Sequence, residues 1–272
     1  MKTQVVGCTK ITAVCFSMLI LLMTITVNNS VAEIVAKSYD IKNLNEVILH
    51  GGGRLEVVQG NSETLQVEAD EKVIDRVVVD QSGSKLTLSI KNIGKGFNFF
   101  HWIGNNNDQA RYILQLKNLK YLGVYGASHA TLGNWTGQDL EVQASGAAEI
   151  TFSDLKLQDF LVELTGASNS RFQTLNSDSA KIKLSGAANM DAKADGLVKI
   201  LKVNASGASN FRGKLLKATE AEVDASGASN IDLNATKILK AEASGASNIH
   251  YLGQPKLQSS ASGASHINAI NN

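Results

Sequence analysis

The sequence predicts an all-β protein folded as a single-stranded parallel β-helix, a solenoid with coils of about 20 residues. Two observations carry this prediction. A Gly-Ala-(Ser/Ala)-X tetrapeptide begins at Gly126, Gly146, Gly166, Gly186, Gly207, Gly227, Gly245 and Gly263, with spacings of 20, 20, 20, 21, 20, 18 and 18. On both sides of each glycine, apolar and polar residues alternate with the period of two that marks half-buried strands. A single strand–corner–strand unit cannot bury its own apolar face, so the repeats must stack to make a core.

Each position of the coil follows from its offset to the glycine. Two, four and six residues before it the inward set reads Leu140/Val142/Ala144, Phe160/Val162/Leu164, Leu201/Val203/Ala205 and Ala221/Val223/Ala225. Four and six residues after it come Ile150/Phe152, Met190/Ala192, Ile231/Leu233 and Ile249/Tyr251. The glycine between two strands marks a structural corner. A further apolar residue (Leu155, Leu175, Leu216) predicts another wall in several coils. Each coil rises by one strand spacing, about 4.8 Å, so eight coils predict a rod on the order of 40 Å. A propeller blade needs about twice this period.

Stacking turns equivalent positions into columns. Five residues after the glycine the column reads Arg171, Asp191, Arg212, Asp232, His250, an alternation of sign that suits facing neighbours. Three residues after it stand Asn169, Asn189, Asn210, Asn230 and Asn248, with His129, Glu149 and His266 substituting elsewhere. Stacked amides predict a structural hydrogen-bonded ladder.

The amino-terminal half is less regular. Residues 1–32 read as a signal peptide: Lys2 and Lys10, an apolar run from Ile11 to Val27, then Ser30-Val31-Ala32 as a cleavage site. Both cysteines, Cys8 and Cys15, lie in this segment, which leaves the exported chain without a disulfide or a Cys-based metal or catalytic site. Residues 33–112 are expected to hold the first coils and a cap, and 113–272 the regular β-helix. Val47–Val58 has the pattern of a degenerate strand–corner–strand unit around Gly51-Gly52-Gly53. Residues 92–108 carry an aromatic cluster, Phe97, Phe99, Phe100, His101 and Trp102. It reads either as a cap over the core or as a ligand-binding loop for a glycan or partner.

These features resemble the autotransporter adhesin head, or GIN, domain family of bacterial envelopes. The resemblance rests on the Val47–Gly60 unit, on Ile113–Leu122 leading into Tyr125-Gly126-Ala127-Ser128, and on the Ser-Gly-Ala-Ser-Asn repeats at Ser206, Ser226 and Ser244. It implies an exported right-handed β-helix and supplies no catalytic residues. The chain ends at Asn272 without the aromatic-girdled strands of a membrane barrel, so self-secretion is not expected and a periplasmic or surface-associated product is.

The chemistry-bearing residues point away from an enzyme. Lys+Arg number 26 against 25 Asp+Glu, a balance that offers no basic face for nucleic acid. The serines at Ser145, Ser185, Ser206, Ser226, Ser244 and Ser262 have no histidine at a fixed offset to act as a base. The densest carboxylates, Glu222, Asp224 and Glu242, have Lys240 beside them, and the five histidines lack metal-ligand spacing. No catalytic residue, metal or cofactor is expected. The leading reading is a non-catalytic envelope scaffold for adhesion or protein interaction, with an unidentified protein or glycan partner. The alternative is a carbohydrate-binding module using the aromatic loop; a polysaccharide lyase or hydrolase comes third, for want of a convergent acid pair. The last coil, Leu257–Ala269, presents a strand edge that invites end-to-end association with a second copy.

Overall fold

The structure is a computed structural model and describes residues 33–91 and 109–270. The proposed signal peptide and the aromatic cluster Phe97, Phe99, Phe100, His101 and Trp102 lie outside the described residues.

Two walls run the length of the solenoid and a third lines its middle rungs; the alternating residues of the repeat form them. The first wall carries the strand before each corner glycine: β2 (Glu46–His50), β6 (Lys85–Ile90), β8 (Tyr121–Gly126) and β11 (Asp139–Gly146), then the carboxyl-terminal parts of β12 (Glu149–Leu164), β13 (Asn169–Leu184), β15 (Gly196–Ala205), β16 (Asn210–Ala225) and β17 (Asn230–Ala243), and last β19 (Lys256–Ala261). The second wall carries the strand after it: β3 (Gly53–Gln59), β7 (Arg111–Leu116), β9 (Ser128–Leu132), the beginnings of β12, β13, β16 and β17, with β14 (Asn189–Ala192), β18 (Asn248–Leu252) and β20 (His266–Ala269). The third wall is short and is made by β10 (Trp135–Thr136) and the middle of the long strands; Leu155, Leu175 and Leu216 point inward from it. All stacking within the regular coils is parallel, and the first and second walls keep register, so one position of the repeat makes one column there.

The inward columns are dry. Leu122, Val142, Val162, Ile182, Val203 and Val223 stack as consecutive partners in the first wall, each with no exposure. Bulk is shared between rungs: Phe160 stacks on Ala180, which stacks on Leu201 and then Ala221. Phe160 also meets Phe152 across the core edge to face, at 5.7 Å and 86°, a favoured aromatic geometry.

The amino-terminal end departs from simple winding. The rung made by β2 and β3 does not lie at the end of the stack. It sits between the β6–β7 rung on one side and the β8–β9 rung on the other. Between β3 and β6 the chain reverses. β4 (Thr64–Asp70) lies antiparallel on β7, β1 (Ile34–Tyr39) lies antiparallel on β4, and β5 (Val77–Ser82) lies antiparallel on β6. The single turn of helix α1 (Glu71–Ile74) is capped by Asp70, which accepts from the Lys72 amide at 2.8 Å, and buries Val73 and Ile74 in the core. Reversal at both the first and the second wall covers the edges of β6 and β7 at this end of the solenoid, which is how solenoids protect a terminal core.

Candidate functional site

The repeated tetrapeptide forms one continuous edge of the rod, where the first wall turns into the second. The corner glycines from Gly126 to Gly263 all hold φ between +73° and +87°, a region that L side chains enter only at a cost. Proximity reinforces the choice. A Cβ at any glycine from Gly146 to Gly263 would lie 2.6–2.9 Å from the carbonyl oxygen of the glycine one rung earlier. That carbonyl accepts from the amide of the alanine that follows, at 2.7–2.9 Å. Hence the spacing of the rungs at this corner is set by backbone alone.

The next column is a serine that sequence reasoning did not single out. Ser128, Ser168, Ser209, Ser229 and Ser247 have no exposure. Each hydroxyl donates to the carbonyl three residues earlier, at 2.8–2.9 Å, and those of Ser229 and Ser247 also reach Ala205 O and Ala225 O on earlier rungs. A buried hydroxyl satisfied in this way ties the corner shut. The hydroxyls just before the glycines do less: Thr165 and Ser206 make contacts of 3.3 and 3.4 Å.

Outside these lies the asparagine column. Nδ2 of Asn189, Asn210, Asn230 and Asn248 donates to Oδ1 of Asn169, Asn189, Asn210 and Asn230 respectively, at 2.8–3.0 Å. Every bond points the same way along the rod. Where Glu149 replaces asparagine, it contacts Nε2 of His129 at 3.2 Å and Arg171 at 2.7 Å. The charged column beside it is in register, but its pairing is uneven. Arg212 reaches Asp191 at 2.8 Å and His250 reaches Asp232 at 3.1 Å, whereas Arg171 turns to Glu149. Burial alone would raise the Asp191 carboxyl, but hydrogen bonds and charge from Lys193 and Arg212 outweigh it and hold it below its usual range.

The outer face of the first wall carries two further clusters. Tyr121 and Tyr125 fold over Gly123, where a Cβ would meet the Tyr125 ring at 2.8 Å. Their hydroxyls lie 2.6 Å apart and share Gln143 Oε1, and His50 stacks on Tyr125 at 5.0 Å. Burial, and then the bond to Tyr125, push the Tyr121 hydroxyl up. Farther along, Asp224 faces Glu242 on the next rung and has Glu222 two residues before it on its own strand. Partial burial, then Glu242 and Glu222, raise the Asp224 carboxyl, while Glu222 is paired with Lys202 at 2.7 Å. Among the described residues, no three histidine, cysteine or carboxylate side chains converge as a metal site.

Comparison with known proteins agrees with this architecture. A structure described as a putative adhesin from Parabacteroides merdae ATCC 43184 superposes with a TM-score of 0.76 at 16% identity, over 88% of this chain and 97% of that one. A putative adhesin from Parabacteroides distasonis ATCC 8503 gives 0.76 at 18%, over 88% and 98%. A putative lipid binding protein from the same organism gives 0.64 at 23%, over 88% and 97%. At these identities the likeness concerns the fold. No curated protein matches the sequence. Residues 43–255 match the family described as "Putative auto-transporter adhesin, head GIN domain", and the chain belongs to that family.

Proposed function

We propose that this protein is a non-catalytic, exported envelope module that presents the long outer faces of a β-helix for adhesion or protein interaction. The observation that carries this reading is the fate of the repeated polar residues. The corner serines and asparagines, which would be the obvious chemical resource of such a repeat, are engaged within the rod: the serines close their own corners and the asparagines bond to neighbouring rungs. What remains for partners is the regular outer surface, as in other solenoids. The test is retention of whole cells and of envelope extracts on the immobilised exported chain. Saturable retention supports adhesion, and retention no greater than that of an unrelated β-helix overturns it.

A second reading, glycan recognition by residues 92–108, has one observation in its favour. β6 and β7 make the same step from first to second wall that a Gly-Ala-Ser-Asn corner makes elsewhere, yet the whole of 92–108 stands between them in sequence. A connection so much longer than its span marks a functional loop more often than a structural one. A Phe100→Ala/Trp102→Ala double variant that keeps its fold and its glycan-array profile would refute it. Association with a second copy belongs to the same proposal: among the described residues β19 and β20 pair on one side only. Sedimentation velocity across a hundredfold concentration range tests it, and a constant monomer is the refuting result.

A further inference from the structure

The third wall carries the feature that the corner does not explain. Its outward side chains form two parallel rows along the rod. One row is Lys156, Asn176, Leu197 and Lys217 on successive rungs. The other is Gln158, Asp178, Lys199 and Thr219. Between them lies a cleft of about 660 Å³, floored by Leu157, Ser177, Val198 and Ala218. A second cleft of about 640 Å³ adjoins it, lined by Gln59, Asn61, Lys117, Asn134 and Asp154. Lys156 lines both, so the two clefts form one furrow parallel to the rod axis.

The chemistry of the furrow is selective. Among the described residues, Lys117, Lys156 and Lys217 have no carboxylate partner, while Lys199 is held by Asp178 at 2.7 Å. The rest of the lining combines amides and hydroxyls with the buried apolar floor and the carboxylate of Asp154, and Leu197 stands 63% exposed between Lys156 and Lys217. Unpaired cations, amide donors and a patch of aliphatic surface suit a chain of hydroxylated rings that carry carboxylates. They do not suit an extended peptide. A peptide would add to a sheet by its backbone, and the third-wall strands from β12 to β16 are already paired on both sides.

We propose that this furrow binds a linear anionic polysaccharide of the polyuronate class, with its carboxylates on Lys156 and Lys217. The proposal rests on the adhesion reading and names a ligand class for it. Lys156 and Lys217 are three rungs apart, about 14 Å at the usual strand spacing. A single uronate ring cannot reach both, so affinity rises steeply with chain length.

The experiment is calorimetric titration of the protein, purified as exported, with oligogalacturonate of graded length, with a neutral dextran and with polyglutamate. A Lys156→Glu/Lys217→Glu variant is compared with Lys181→Glu/Lys240→Glu, which makes the same charge change on the first wall. Binding of the longer oligomers that falls at least tenfold in the furrow variant and less than twofold in the control supports the proposal. Equal loss in both variants reduces it to net charge and overturns it, as does equal affinity for dextran. Polyglutamate bound as tightly as the polyuronate assigns the furrow to acidic peptides instead. If no oligomer binds while whole-cell retention persists, the furrow inference falls and the adhesion reading stands; loss of retention alone removes the latter.

Discussion

Gly207→Ala adds one methyl group to a corner whose spacing is set by backbone. The alanine must hold φ near +75°, which costs about 1–2 kcal/mol. Its Cβ would then lie 2.6 Å from Gly186 O, far inside van der Waals contact. Relief requires the two rungs to part, and the bond they share there is Ala208 N to Gly186 O at 2.7 Å. Losing a bond of this kind costs about 1 kcal/mol more, for a total of roughly 2–3 kcal/mol. The rod contains its own control. Gly51 occupies the equivalent corner of the β2–β3 rung at φ +82°, with nothing among the described residues within 4 Å of a Cβ. Gly51→Ala should therefore show only the dihedral cost of about 1–2 kcal/mol. Urea unfolding followed by far-ultraviolet circular dichroism compares the two midpoints. Equal destabilisation would refute the contribution of close approach and leave the repeat explained by φ alone.

Three other perturbations test separate parts of the structure. Ser170 stands at 5% exposure in the column between Ile150 and Met190, and its Oγ has no partner; Ser170→Ala should raise the unfolding free energy by about 1 kcal/mol, read as a higher urea midpoint. Asn210 takes part in two ladder bonds and Asn248 in one, so Asn210→Ala should lower the thermal midpoint about twice as much as Asn248→Ala. The raised Asp224 carboxyl contributes stability that is full below its unfolded pKa and lost as pH rises through its folded value. Asp224→Asn should thus stabilise at pH 7 and lose that advantage on acidification to about pH 3, below the usual aspartate range. Asp191 has the opposite sign: its lowered carboxyl contributes stability present above its unfolded pKa and lost as pH falls through its folded value, so Asp191→Asn should cost most near neutrality and least in acid.

Periodicity made most of the fold legible. The offsets that place Val142, Val162 and Ile182 inward depend only on a repeat and a period of two, and stacking in register follows from both. The amino-terminal end was less readable for a definite reason. Leu65–Ala69 and Lys85–Ile90 have the same alternation, but alternation carries no strand direction, so it could not reveal that β4 runs antiparallel. Nor could it place β2–β3 between two later rungs, because that order is set by which edges need cover. The buried serine column was open to inspection. Two residues after the glycine only serine or alanine occurs from Ser128 to Ser265, whereas the position before it admits Tyr125 and Thr165. A position restricted to small residues is a buried one, and abundance of serine drew the eye to the other column. The third-wall furrow was not legible, because Lys156, Asn176, Leu197 and Lys217 share no residue type and only the register joins them.

The register also shows where the rod absorbs changes in length. Asn169, Asn189, Asn210 and Asn230 keep their alignment although the coils between them differ. The extra residue of the longest coil enters after Ala192, ahead of Leu197. The shortened coil that follows Gly227 loses residues between Arg212 and Lys217, as counted on the rung before, and regains one between Ala218 and Glu220. Among the regular coils, two sides of the rod therefore keep a fixed pitch while the third takes up these insertions and deletions. Such a division lets one face diverge, residue by residue and length by length, without renegotiating the scaffold that carries it. Descendants of one rod could thus meet different surfaces with the same two walls behind them.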